Sequence, residues 1–177
     1  LAQSFNTMSR QLNRQFNTLE TISNISRTIL SSLNTHQIIE TTLIRLSHFL
    51  QSEASQLILF KDHNSSQAVA FTYSGEAKPS REEQIVHITE TEKIPLLRKP
   101  YLLRTDRLSP PPYLTSFFAE PLPTILQLPL VSNRALKGMI NLGFPPQRVL
   151  SDDDCNYARQ LADQITIALE NANLIET

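Results

Sequence analysis

Two runs in the last third of the chain place an apolar side chain at every second position, and this alternation constrains the fold more than any other feature. In Thr124 to Val131 (TILQLPLV) the alternating positions are Leu126, Leu128 and Leu130; in Leu136 to Phe144 (LKGMINLGF) they are Ile140, Leu142 and Phe144. A period of two with one aliphatic face is the pattern of a half-buried strand. The Ser132-Asn133-Arg134 stretch between the runs favours a turn, so the pair reads as an antiparallel hairpin. Ser151, with Asp154 three residues on, then forms a capping box, and Asp152 and Asp153 add negative charge where a helix dipole favours it. On the helix that follows, Ala158, Leu161, Ala162, Ile165, Ala168, Leu169, Ala172 and Ile175 make one stripe, which must lie on something apolar. Ile167 and Leu174 fall seven apart and off that stripe, which gives the helix a second contact surface.

The first third has a different period. Phe5, Leu12, Leu19, Ser26 and Leu33 fill one position of a seven-residue spacing, and Leu1, Met8, Gln15, Ile22 and Ile29 the other. Such a seam is expected of a coiled coil, with Gln15 and Ser26 as its weak layers; the alternative is an amphipathic helix packed on its own domain. Asn34 and Thr35 read as a break and N-cap, after which Ile38, Ile39, Thr42, Leu43, Leu46, Phe49 and Leu50 recur at helical spacing. From Ser55 strands take over: residues 56–61 (QLILFK) and 67–73 (QAVAFTY) make a hairpin about DHNSS, and 84–88 (QIVHI) a third strand. Thr91 to Pro123 holds seven prolines. Within it, Ile94 to Lys99 reads as one helical turn, Tyr101 to Arg104 as a short strand and Pro112 to Ala119 as a short helix opened by proline.

The order of elements describes an α+β domain, an antiparallel sheet of about five or six strands with helices mainly on one face and long helices at both ends. Composition then removes classes of function. The 16 Lys+Arg against 17 Asp+Glu leave a formal charge of -1, which supplies no field for binding nucleic acid. Three glycines give a phosphate loop almost nothing to be built from, and the single Cys155 excludes an intramolecular disulfide or a multi-cysteine zinc site. No stretch approaches the apolar length of a membrane helix. The chain opens at Leu1 in the middle of a helical pattern, so it reads as a piece of a longer polypeptide.

Leu128-Pro129-Leu130-Val131, the turn at Asn133-Arg134, the strand Leu136 to Leu142, the helix start Leu150 to Asp154 and the ending Gln164 to Ala172 resemble the C-terminal half of a GAF domain. The likeness extends over residues 19–177, and the expected architecture is accordingly GAF/PAS-like. Leu1 to Phe16, with its Leu-Ala-x-x-Phe-Asn-x-Met pattern, is similar to the end of a HAMP linker, which places a linker helix in residues 1–18. Together these resemblances imply a cytoplasmic sensory or relay domain of a bacterial inner-membrane signalling protein of the sensor kinase or cyclase type. They imply a HAMP and membrane segment upstream and an output module downstream. A homodimer is expected, held through Phe5, Met8, Leu12, Leu19, Ile22 and Ile29.

The ligand classes known for the family each need particular residues. Bilin attachment needs a thiol beside the pocket, whereas Cys155 lies in the first turn of the last helix and reads as structural. His36, His48, His63 and His87 show no metal-ligand spacing; His87 is the one histidine a strand could aim into a pocket as a haem ligand, against the plainer reading of a hydrogen-bonded histidine. No nucleophile elbow or cleft-lining carboxylate pair is evident, so neither enzymatic activity nor a cofactor is expected. What remains is the second sheet face, where Ile125, Gln127, Met139 and Asn141 are mixed as the lining of a small-molecule pocket is mixed. Tyr113, Phe117, Arg98 and Tyr101 of the proline-rich segment are expected to close it. The alternative is a face covered by that segment, whose backbone satisfies Gln127 and Asn141. Lys93, Arg98, Lys99, Arg104 and Arg107 form a basic cluster that reads as a solvated face or as an attractant for an anion.

Overall fold

A computed structural model describes residues 4, 6–12, 14, 35–62, 64–74, 82–105, 111–115 and 124–176. The elements run α1 (Thr35–Leu50), β1 (Ala54–Phe60), β2 (Gln67–Ser74), β3 (Glu82–His87), α2 (Glu90–Arg98), β4 (Leu102–Arg104), α3 (Pro112–Thr115), β5 (Thr124–Ser132), β6 (Ala135–Phe144) and α4 (Asp152–Glu176). The six strands form one antiparallel sheet in the order β3-β2-β1-β6-β5-β4, so the two hairpins meet at its centre through β1 and β6. Residues 6–12 are also helical, with Met8 and Leu12 each 62% exposed.

The strand period sorts side chains as the sequence leads one to expect. Leu126, Leu128, Leu130, Ile140, Leu142 and Phe144 face α1 and α4 in one cluster with Ile39, Leu43, Leu46, Leu50 and the α4 stripe from Ala158 to Ala172. Each fully buried leucine or isoleucine contributes about 1.5–3 kcal/mol relative to exposure, which makes this layer the main source of stability. Ile167, off the stripe, is exposed, and Cys155 sits inside the layer. One position departs from strict alternation. The β5–β6 register shifts beyond Leu130–Gly138, so that Val131 pairs with Leu136 and Lys137 is the extra residue of a bulge. Leu136 thereby joins the cluster on the opposite face.

Both long helices end on designed caps. Gln51, at φ 58°, occupies the left-handed position after α1, and the N–H of Ser52 reaches the Ser47 carbonyl at 3.0 Å, a Schellman closure. At the start of α4 the Asp154 N–H donates to Ser151 Oγ at 3.1 Å, and the Ser151 N–H donates to Asp154 Oδ2 at 3.0 Å, the reciprocal box read from the sequence. Arg148 ties the two ends together: Nε donates to the carbonyl of Leu50, the last residue of α1, at 3.4 Å, and Nη2 donates to Asp154 Oδ2 at 3.2 Å.

α2 begins four residues before the expected single turn. The Thr89 hydroxyl accepts from the Glu92 N–H at 3.4 Å and Glu92 Oε2 accepts from the Thr89 N–H at 2.9 Å, so a second capping box starts the helix at Glu90 and carries it through Pro95. Among the described residues no helix is long and apolar enough to cross a membrane.

Candidate functional site

α2 and α3 lie over the sheet face that α1 and α4 leave open. Ile58, Ala68, Ala70, Val86, Leu96, Tyr113, Leu114, Ile125 and Met139 pack there as a second apolar cluster. A polar row crosses this face at right angles to the strands. The register pairs Thr72 with Gln56, Gln56 with Asn141 and Asn141 with Gln127, one residue from each of four neighbouring strands. Gln56 is 2% exposed, and Asn141 and Gln127 are fully buried. Bare amides at that depth would each cost a few kcal/mol, so their bonding decides whether the row is stable.

The bonds run in one direction. Arg104 donates through Nε to Gln127 Oε1. Gln127 Nε2 donates to Asn141 Oδ1 at 3.1 Å and to the Tyr113 hydroxyl at 3.0 Å, with Met139 Sδ at 3.8 Å. Asn141 Nδ2 donates to Gln56 Oε1 at 2.9 Å. Head-to-tail amides polarise one another, and here a guanidinium stands at the acceptor-fed end. Burial pushes the Tyr113 phenol above its ordinary value against the opposing pull of Gln127 and Arg104, so near neutral pH the group is a protonated donor.

Of the residues expected to line a pocket, Ile125, Gln127, Met139, Asn141 and Tyr113 are brought together on this face. Phe117 lies outside the described residues. Tyr101 does not belong to the group: it packs against the aliphatic layer under α1 and α4. The reason is parity, because Leu102 and Arg104 of β4 point to the outer face and Tyr101 therefore points away from it. Arg98 ends α2 as an exposed side chain. His87 is exposed on edge strand β3, on the side opposite buried Val86, which removes the setting a pocket haem ligand needs. Polar satisfaction comes from side chains of neighbouring strands and Tyr113, in place of the backbone of the middle segment.

Two members were not singled out for this site from the sequence. Gln56 reaches it through the β1–β6 register, and Arg104 through the parity of a three-residue strand. The basic cluster is divided. Lys93 is 2% exposed, bonded to the Ser65 carbonyl and Glu90 Oε1 at 2.8 Å each and lying 4.6 Å from the Phe60 ring centroid, so it pins α2 to the β1–β2 turn. Lys99 is exposed, and Arg107 lies outside the described residues. Among the residues expected at a dimer interface, Met8 and Leu12 are exposed; Phe5, Leu19, Ile22 and Ile29 fall outside the described residues. Among the described residues no three His, Cys, Asp or Glu side chains are grouped to hold a metal ion.

The GAF domain model matches residues 34–169, from the start of α1 to the last third of α4. The chain belongs to the GAF domain family. GAF domains are typically sensory or regulatory modules, and the solved structures similar to this one share its fold. The chromophore-binding domain of an unusual bacteriophytochrome from R. palustris superposes with a TM-score of 0.74 at 11% identity, over 92% of this chain and 63% of that one. The GAF domain of a phosphoenolpyruvate-protein phosphotransferase from Coxiella burnetii gives 0.69 at 16% identity, over 91% and 97%. Among curated proteins, a formate hydrogenlyase transcriptional activator of Salmonella typhimurium is 23% identical over 156 residues, 84% of this chain. This GAF domain spans 22% of that relative's length.

Proposed function

We infer that this GAF domain is the sensory and relay domain of a signal-transduction protein, dimeric through its terminal helices and without catalytic chemistry of its own. The observation that supports relay is Arg148, which joins the end of α1 to the start of α4 on one sheet face. A displacement of α1 along its axis pulls on the α4 cap through that side chain. The proposed parent is a bacterial inner-membrane protein, with a HAMP-like segment before the domain and, after it, the output module of a sensor kinase or cyclase. The relative named above makes transcriptional activation a further kind of output. Met8 and Leu12, one helical turn apart and exposed, are the described part of the dimer seam. Sedimentation equilibrium tests it: a Met8→Asp/Leu12→Asp variant with unchanged circular dichroism is expected to be monomeric, and a variant that stays dimeric removes these helices from the interface.

The buried polar row favours a second reading, a small-molecule sensor whose pocket lies on the outer sheet face. A ligand selective for the folded domain raises its melting temperature by mass action, so a thermal-shift screen is the direct test. A screen in which every shift persists after Gln127→Leu removes the outer face from that reading.

A further inference from the structure

The outer face is unbalanced in hydrogen-bond donors and acceptors. Each side-chain oxygen of the row already receives a bond: Gln127 Oε1 from Arg104, Asn141 Oδ1 and the Tyr113 oxygen from Gln127, and Gln56 Oε1 from Asn141. The donors are in surplus. The second N–H of Asn141 and the Tyr113 O–H are donors beyond these bonds, and Arg104, whose guanidinium also reaches the Tyr113 hydroxyl, has more N–H groups than the two acceptors it meets. The charge balance points the same way. Arg104 is half-buried, and neither the Lys93–Glu90 nor the Arg148–Asp154 ion pair involves it. Glu92, the acid whose charge reaches Tyr113, is held by the Thr89 N–H in the α2 capping box.

A half-buried guanidinium beside a protonated phenol and a polarised amide row wants acceptor atoms and negative charge, and a neutral donor group would meet only other donors. We propose that Arg104, with the Tyr113 hydroxyl beside it, binds the carboxylate of a small organic acid. A carboxylate presents two oxygens in the plane and at the spacing of the guanidinium fork. This proposal rests on the ligand-sensing reading and names its ligand class; the relay reading stands or falls by sedimentation and is untouched by it.

The test follows the melting temperature of the 177-residue chain at constant ionic strength without chloride, titrated with acetate, propionate or succinate, with acetamide as the neutral isostere and inorganic phosphate as the tetrahedral anion. At least one carboxylate is expected to give a saturable rise that acetamide does not. Arg104→Gln is expected to weaken it about tenfold or more, as loss of a charged hydrogen bond does, while Lys99→Gln leaves it unchanged. Should Arg104→Gln fail to fold, Arg104→Lys keeps the charge without the fork and is expected to bind more weakly than the parent chain. Side-chain amide resonances of Gln127 and Asn141 are expected to shift on carboxylate addition. A rise that is equal in the Arg104 variants, a rise with phosphate or acetamide in place of the carboxylates, or no saturable rise with any carboxylate each overturns the proposal.

Discussion

Arg148 Nη2 lies 3.2 Å from Asp154 Oδ2, and the same carboxylate accepts the Ser151 N–H at 3.0 Å. Burial alone would raise the Asp154 carboxyl, but the Ser151 backbone and hydroxyl and the Arg148 guanidinium outweigh it and hold the group below its ordinary value. A lowered folded-state value means the ionised form stabilises the fold. That contribution is complete above about pH 4, the unfolded range for aspartate, and is lost as pH falls through the folded value. Urea unfolding between pH 6 and pH 2 is expected to show a shallower acid-side loss for Asp154→Asn than for the parent chain. Equal slopes would mean that the cap carries no linked proton.

The interior of the outer face should answer to paired substitution. Asn141→Leu removes the acceptor of one Gln127 N–H and the donor to Gln56 Oε1. A loss of about 2–4 kcal/mol is expected, since each stranded buried group costs about 1–3. Adding Gln56→Met removes one stranded group, and the double variant is expected to recover part of the loss. Strict additivity in urea unfolding would show that the two amides do not share a bond.

Gly138 lets β6 lie tight against β1. A Cβ there would stand 2.2 Å from the Ile58 carbonyl oxygen, and a backbone atom cannot swing aside as a side chain can. Gly138→Ala is expected to destabilise the domain by about 2 kcal/mol or more through strain at the pairing of the two hairpins. Unchanged thermal stability would require the strands to separate locally without cost.

The β5–β6 turn places Asn133 at φ 52° and Arg134 at φ 61°, the backbone of a two-residue type I′ turn. Asparagine tolerates this region, whereas arginine bears a Cβ penalty that glycine does not. Arg134→Gly is expected to raise stability by about 0.5–1 kcal/mol, measured as the shift of the urea midpoint at constant slope.

How far the sequence reaches into this structure depends on the length of the repeating unit. β5, β6 and α4 carry enough turns of a period to fix which side chains share a face, and Leu126 to Phe144 and Ala158 to Ala172 lie where the spacing puts them. β4 has three residues, too few to state a phase, so Tyr101 was assigned to the face that Arg104 occupies. Gln56 and Asn141 are 85 residues apart, and nothing local says that β1 pairs with β6 in the register that joins them. Thr89 and Glu92 have the spacing of a capping box, a signal for the start of α2 that lies outside the single turn expected over Ile94 to Lys99.

The row of amides also discriminates among misfolded chains. Sliding β1 by one residue against β6 would carry Gln56 to the opposite side of the sheet, into the layer of Leu57, Ile140 and Leu142, where no amide partner waits. An uncompensated amide in that setting costs on the order of 2–7 kcal/mol, comparable to the stability of a whole domain. Where both faces of the sheet are apolar, aliphatic strands alone would tolerate such a slip between the two hairpins. The three amides do not, and they therefore act as a key that admits a single alignment of the N-terminal half on the C-terminal half.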